Sequence, residues 1–442
     1  MSNFKYLAIL VLLTYGCSKP KLSINDGSSI FLQELDFSLT LGGSNNDIAE
    51  AITATNDGGY AIAGYTASND GDFNIKSTND SDFLILKYNA NDALEWKKNY
   101  GGSNDDRAND IIQTNDGGFA VIGISTSSDG DVSSNQGNSD FWVVKLDLKG
   151  NITWQKSFGF SGRDKGISII QTNDSGFLIT GELDVTASGG MGNSRSSRRH
   201  AGGDYWAIKL DTNGTKEWSK FFGGTFTETP KGVVQTNEGD FIIAGFSDSD
   251  DVDISNNINT YDFWVIKISP TGKLIWEKNF GGTEIDEAHS ITKTNDNNFV
   301  VIGDTRSSDT NISSNNGGAD LWVIKINTKG ELLWEKAFGG SNFDVGRSVS
   351  LTNDGGFIIA GSSRSSNNGF KNKGQNDGWI LKISSEGNQQ WQKNIGGDQI
   401  DLLHDAVETQ SGKIIAVGES SSNNGDLTNN SGFSDLLIIK IK

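Results

Sequence analysis

Short apolar runs, each four to seven residues long, recur along the chain between polar, glycine-rich stretches, and the whole pattern returns about every 58 residues. The second copy shows it most plainly. From the pair Gly101-Gly102, Asp106 and Ala108 lead into Asp110-Ile111-Ile112-Gln113, then a turn Thr114-Asn115-Asp116-Gly117-Gly118, then Phe119-Ala120-Val121-Ile122-Gly123. Asn, Asp and Gly tolerate positive φ at low cost, so two apolar runs joined in this way read as a β-hairpin. A longer polar stretch over 124–139 precedes a third run at 140–146, and a tight turn around Lys149-Gly150 returns into a fourth at 152–158. Four strands of roughly five to seven residues per copy match the size of a propeller blade. No window sustains an i, i+3, i+4, i+7 apolar pattern, and the runs are rich in Val, Ile, Phe and Trp, which excludes a helical protein.

The tryptophans fix the period. All eleven fall at two positions of a seven-fold repeat: Trp96, Trp154, Trp218, Trp276, Trp334 and Trp391 in the fourth run, with Phe37 in the equivalent place, and Trp142, Trp206, Trp264, Trp322 and Trp379 two residues after an aspartate in the third, where Leu84 and Leu437 fill the remaining copies. A solenoid usually repeats at about 20 to 30 residues rather than near 58, so the expected fold is all-β, a seven-bladed β-propeller of four-stranded antiparallel blades. The first copy begins at a fourth strand, 35–41, and the last stops after a third, so the N-terminal strand is expected to pair with 435–442 and close the ring, removing the edges an open sheet would expose. Strand parity places the Asn-Asp-Gly-Gly turns and the third-to-fourth turns on one face, called lower here. The long second-to-third loops and the Gly-Gly linkers share the upper face. Those loops span 16 to 18 residues from glycine to aspartate, except in the third copy, where Gly181 to Asp204 is 23.

Composition adds boundaries. The repeat absorbs residues 35–442 into one domain. A net charge of −19 and a pI near 4.6 argue against a nucleic-acid partner, which needs a basic stripe. A single closed ring is expected to be monomeric. Lys5 followed by an apolar core over 6–13 and then Thr14-Tyr15-Gly16-Cys17 resembles a bacterial lipoprotein signal ending at the only cysteine of the chain. The apolar stretch is too short for a spanning helix. The resemblance implies a signal peptide over 1–16, a lipidated Cys17 bearing palmitate-type acyl chains, a tether over 17–34, and a membrane partner reached through lipid. The location implied is the cell envelope, most simply the outer membrane, with the periplasmic or surface side left open; an ordinary cleaved secretory signal is the alternative.

Residues 101–106, 116–118 and 123–126 carry a Gly-Gly-Ser-x-x-Asp start, an Asp-Gly-Gly turn and a strand ending in Gly. In these features the chain resembles the bacterial β-propeller repeat family, and it is similar to kelch repeats in strand order. Both resemblances imply a propeller with a binding or scaffold role and no catalytic residues. Residues 147–154 and 268–276 are also similar to the tryptophan-docking motif of quinoprotein dehydrogenases and of the outer-membrane assembly lipoprotein with that fold, over about ten residues per copy.

Several residue sets invite chemistry. Paired upper-loop acids, Asp70 and Asp72, Asp129 and Asp131, Asp251 and Asp253, then Asp309 with Asn311 and Asn424 with Asp426, suit Ca²⁺, the one cofactor weighed, although Asp, Asn and Gly also simply make turns. A second series, Asp47, Asp106, Asp164, Glu228, Asp286, Asp344 and Asp401, follows the linkers and is expected to ring the upper face, with each carboxylate accepting linker hydrogen bonds. Lys87, Lys145, Lys209, Lys267, Lys325, Lys382 and Lys440 share one third-strand position and are expected to bridge blades with their charge outward and the stem along a tryptophan. The third-copy insertion gathers Arg195, Arg198, Arg199 and His200, a candidate partner contact or a solvated loop. His200, His289 and His404 read as occupying different repeat contexts, so neither a histidine-metal site nor a Ser-His-Asp triad is expected. The expected function is a non-catalytic binding or assembly module for protein or glycan. The alternatives are a glycan-active enzyme using acids on the long-loop face and a quinoprotein-like outer-membrane assembly lipoprotein.

Overall fold

In the computed structural model, described over residues 34–75, 80–184, 202–258 and 260–442, the strands of each copy pair in sequence order as a four-stranded antiparallel sheet. The second blade runs Asp106–Gln113, Phe119–Ser125, Asp140–Leu146, Ile152–Phe158. Seven such sheets make the ring, blades one to six covering 47–100, 106–158, 165–222, 228–280, 286–338 and 344–395. The first strands touch one another in succession, and that of blade seven touches that of blade one. The seventh blade has three strands from 401–441, and its fourth is Leu35–Leu41, paired antiparallel with Asp435–Ile441 from Leu35 opposite Ile441 to Leu41 opposite Leu436. Glu34 and Lys442 continue the ladder with reciprocal backbone hydrogen bonds of 3.1 Å. The expected seven-bladed ring and its closure are therefore what the chain forms.

Two tryptophan positions do two packing jobs. The third-strand indoles are buried, and four of the five meet an aromatic ring of the preceding blade's third strand: Phe83 with Trp142 at 4.6 Å, Phe141 with Trp206 at 4.8 Å, Tyr205 with Trp264 at 4.5 Å and Phe263 with Trp322 at 4.6 Å. Truncating such a ring to Ala costs roughly 3–5 kcal/mol, so the blades are welded by area as well as by register. The fourth-strand indoles reach the lower-face turn of the next blade. Trp96 Nε1 donates to Leu148 O at 3.3 Å and Trp218 Nε1 to Pro270 O at 3.0 Å. Gly150 sits at φ +74°, and a Cβ there would stand 3.0 Å from the Trp96 ring, which is why the turn needs glycine.

The upper-face loops of blades one, two and four to seven are each anchored by one apolar residue, a feature the polar appearance of these stretches hides. Phe73, Val132, Ile254, Ile312, Phe370 and Leu427 are all buried.

The lysine expectation is corrected. Lys145 Nζ lies 2.9 Å from Asp116 in the first turn of its own blade and donates to Leu146 O at 3.0 Å. Lys87, Lys209, Lys267, Lys325 and Lys382 pair in the same way with Asp57, Asp174, Asp240, Asp296 and Asp354 at 2.9–3.0 Å. The stems do lie beside the fourth-strand aromatic, Lys145 opposite Trp154, but the ammonium groups are buried and tie turns within a blade. The reason is reach: the third strand ends beside its own hairpin turn. Blade seven is the exception, because its turn Thr409-Gln410-Ser411-Gly412 has no acid, and Lys440 takes Asp92 of blade one at 2.5 Å and Asp36 at 2.9 Å.

Deleting residues 35–41 is expected to lower the melting temperature by roughly 10 °C or more, because it bares the edge of 435–441 and removes the Asp36 partner of Lys440. A truncated protein that melts like the whole chain in scanning calorimetry would refute closure.

Candidate functional site in the central channel

The first strand of every blade carries a β-bulge at one position. In blade two, Ala108 pairs with Gly123 and Asp110 with Ile122, leaving Asn109 out of the ladder. The same skip falls on Glu50, Ile167, Lys231, His289, Arg347 and His404. A bulge bends its strand and re-aims a side chain. All seven of these residues line the central cavity, which measures about 1010 Å³. Tyr65, Ile124, Glu182, Phe246 and Glu419, each directly after the glycine of a second strand, join them toward the upper mouth.

Around the bulge the repeat hardly changes. Three residues earlier stands the linker acid, Asp47, Asp106, Asp164, Glu228, Asp286, Asp344 or Asp401; two residues later comes Ile52, Ile111, Ile169, Val233, Ile291, Val349 or Ala406. The bulge itself is an acid, an amide, an aliphatic, two different cations and two imidazoles. His289 and His404 thus occupy one and the same repeat position, which corrects the expectation that the histidines are unrelated in context. Counting three residues on from each linker acid would have found the whole ring in the sequence. The bulge that turns it inward is a matter of strand pairing, so the count had no motive.

The channel's charges are mostly matched. His404 Nδ1 lies 3.0 Å from Glu50 and its Nε2 3.7 Å from Glu419. Burial works against the charged imidazole, yet Glu50 and Glu419 hold the His404 pKa above the ordinary histidine value. His289 Nε2 is 2.6 Å from Asp304, but burial outweighs that carboxylate, and Arg347 and Lys231 add to the downward shift. Burial also lowers Lys231, with the Arg347 guanidinium as the next cause. Arg107 lies over the Tyr65 ring at 4.8 Å and Lys231 over Phe246 at 5.6 Å.

Two channel acids are pushed upward by burial, Asp110 to about 6 and Asp405 to about 7. Their oxygens brace the blades. Asp110 accepts from Ile111 N at 2.8 Å and from Ile169 N of blade three at 2.9 Å, and Asp405 accepts from Ala406 N at 2.8 Å and from Ile52 N of blade one at 2.9 Å. Among the described residues, the one trio of grouped metal-ligating side chains is Glu287, His289 and Asp304, whose ligand atoms lie within 4.8 Å of one another. Lys231 and Arg347, on the blades to either side, set a repulsive field for a divalent cation there.

The linker acids do what was expected of them as acceptors. They are fully buried, and Gly43, Gly102, Phe160, Gly224, Gly282, Gly340 and Gly397 each donate a backbone N–H to them at 2.7–2.8 Å. Loop hydroxyls complete the shell: Ser68 Oγ donates to Asp47 at 2.7 Å, and Ser422 Oγ to Asp401 at 2.7 Å. The upper-loop pairs fold back on the same linkers. Asp70, Asp129 and Asp251 accept from Ser44, Ser103 and Thr225 N at 2.8–3.0 Å, while Asp72 and Asp131 accept from Gly42 and Gly101 N at 3.1 and 3.3 Å. Asp253 is buried, and its N–H donates to Gly223 O at 3.3 Å. Asn367 and Asn424 make the Asp70-type bond at 2.8 and 2.9 Å, so a neutral amide performs this role as well as a carboxylate. Cys17 and the Arg195, Arg198, Arg199 and His200 cluster lie outside the described residues.

A third acidic ring went unnoticed in the sequence as chemistry. The aspartate that opens each third strand, Asp140 for example, is buried and faces the linker acid of the next blade. A Cβ on Gly101 would lie 2.5 Å from Asp82 Oδ1 and 2.8 Å from Asp106 Oδ2, so a glycine is all that fits between the two carboxyl groups. Burial, with the facing acid adding to it, pushes Asp140 and Asp320 up to about 6 and Asp262 up to about 7.

No protein-family model matches the chain, and no curated protein matches it in sequence. Solved structures do resemble it. Sqt1 from Chaetomium thermophilum is 11% identical over 93% of this chain and 100% of that one, with a TM-score of 0.50. The Pan2 WD40 domain of Neurospora crassa is 9% identical over 93% and 97%, also at 0.50. A protein of unknown function from Bacteroides caccae is 12% identical over 73% and 95%, at 0.41. At these identities the likeness speaks to the fold, a β-propeller, and to nothing finer.

The acid pairs give stability an unusual pH dependence. The third-strand aspartates hold protons more tightly folded than at their ordinary value of 3.8, so their contribution is full below that value and lost as pH rises through about 6–7. The turn acids Asp57, Asp116, Asp174 and Asp296 run the other way. Burial opposes their charge, but threonine and lysine donors hold them at about 2, and their contribution is lost only as pH falls through that value. The melting temperature is therefore expected to rise as pH drops from about 8 to about 5 and to fall only below about pH 3. Calorimetry across that range checks it, and Asp262→Asn with Asp320→Asn should flatten the rise; a melting temperature that falls steadily from pH 8 to 5 would contradict the assignment.

Proposed function

We propose that the protein is a non-catalytic binding module that takes its ligand, a protein segment or a glycan, at the upper mouth of the central channel, and that a lipid on Cys17 holds it in the cell envelope. One observation carries the first half. In a chain whose neighbouring positions recur copy after copy, the seven bulge residues that face the cavity differ in charge, size and hydrogen-bonding type. Packing asks every blade for the same residue, so departure from the repeat at one inward-facing ring supports selection for contact with something unsymmetrical. The cavity's volume falls within the usual range for ligand sites.

The non-catalytic reading rests on where the acids spend their oxygens. Asp110 and Asp405 have the raised proton affinity of a general acid, yet each binds backbone N–H groups through both oxygens. The envelope reading rests on the resemblance of residues 5–17 to a lipoprotein signal.

Ile167→Trp, at a half-buried bulge position, narrows the channel without removing a hydrogen bond. It is expected to abolish ligands found for the wild type on a glycan array or in titrations with candidate proteins, while the melting temperature stays within a few degrees. A ligand held equally well by this variant binds elsewhere, and the channel reading fails. Replacing Cys17 by Ser is expected to move the protein from the membrane fraction to the soluble one. Retention of that variant in membranes washed with high salt would point to a different anchor.

A further inference from the structure

Six basic side chains face the cavity: Arg107, Lys165, Lys231, His289, Arg347 and His404. Four lie against carboxylates, Arg107 at 3.3 Å from Asp105, Lys165 at 3.1 Å from Glu182, His289 at 2.6 Å from Asp304 and His404 at 3.0 Å from Glu50. Lys231 and Arg347 have no carboxylate partner among the described residues. They stand on blades four and six, to either side of His289, and their fields act on each other. The surrounding protein carries 56 acids against 37 Lys and Arg, so two cations left unpaired and close together in its interior channel are not a product of composition. Glu287 and Glu182 act on Lys231 only through space and are outweighed by its burial and the Arg347 charge; a cation set in a channel with no contacting counter-charge is costly, and a second cation nearby raises that cost.

Resting on the reading of the channel as the binding site, we propose that Lys231 and Arg347 form an oxyanion site that seats the carboxylate, sulfate or phosphate group of a small acidic ligand entering from the upper mouth. Arg347 is exposed to the channel and offers the planar fork suited to such a group, while half-buried Lys231 supplies a point charge. Glu50 and Glu419, occupied by His404, stand on the blade-seven and blade-one side and orient the anionic end toward blades four and six. The upper rim continues this sector: Arg306 and Arg364 flank the exposed Phe343 ring at 5.9 and 5.8 Å over blades five and six.

The test is isothermal titration of the full-length protein with sodium sulfate, sodium phosphate, a glucuronate oligosaccharide and its neutral glucose counterpart, at low salt. Sulfate, phosphate or the uronide is expected to bind, the neutral sugar at least roughly tenfold more weakly, and Arg347→Gln and Lys231→Met each to weaken anion binding by roughly tenfold or more. Binding of the inorganic ions but not of the uronide assigns the site to a free oxyanion; tighter binding of the uronide assigns it to a sugar-borne one. Because neither residue has a carboxylate at ion-pair distance among the described residues, and Lys231 gives up only its contact with the Phe246 ring, both variants are expected to melt within a few degrees of wild type without ligand and to lose the anion-induced rise in melting temperature, which separates this role from a structural one. Anion binding unchanged in both variants, equal binding of the neutral sugar, or binding through these residues of an acidic peptide alone would overturn the proposal. A ligand blocked by Ile167→Trp yet indifferent to both charge variants would leave the channel reading standing and this proposal refuted.

Discussion

The pairing of Leu35–Leu41 with Asp435–Ile441 is the constraint on which the channel depends. A blade is a wedge that buries its faces only against two neighbours, and seven wedges meet only when the last finds the first. Here the meeting is made by strand addition, so the closing contact is a full backbone ladder rather than a side-chain interface. The seven bulge residues reach a common cavity only in that closed state. An open array of the same blades would have the same residues and no site.

Within the closed ring, buried charge does the positioning that apolar packing alone leaves loose. Hydrophobic contact between sheets has no direction, and a blade could slide or tilt against its neighbour at little cost. The linker acids remove that freedom. Each takes a backbone N–H from the linker residue four before it, together with loop hydroxyls or, for Asp164, the Asp184 N–H, so the entry of every blade is fixed by hydrogen bonds to a fully buried carboxylate. In blades one to six the third-strand lysine does the equivalent on the lower face by tying the end of the sheet to its hairpin turn. Such groups are expensive to bury and more expensive to strand without partners, which gives the arrangement specificity as well as strength.

Structure and function are divided by position in the repeat. Positions that pack or staple are nearly constant across copies; the bulge and the residue after the second-strand glycine, both turned toward the axis, vary. Each blade therefore supports the ring in the same way and contributes something different to the channel. The result is a wall whose two cations without a carboxylate at ion-pair distance stand on blades four and six, with an acid-histidine cluster across blades seven and one.

The sequence by itself determined the blade count, the strand order, the closure and which turns share a face, because all of these follow from the period, from strand alternation and from the copy that is split between the ends. Strand ends written from the apolar runs agree closely with the ladders, as in Asp140–Leu146 and Ile152–Phe158. The sequence also marked the linker acids as backbone acceptors, since a carboxylate beside two glycines has little else to do. Only the tertiary structure decided the rest. That Lys145 turns back to its own hairpin depends on reach across a sheet, not on spacing along the chain. That Asp82 faces Asp106 across Gly101 depends on how adjacent blades abut. The bulge that gathers Glu50, Lys231, His289, Arg347 and His404 is a mismatch between two paired strands, and neither strand alone carries a sign of it; the channel's chemistry is therefore a property of the ring rather than of any repeat within it.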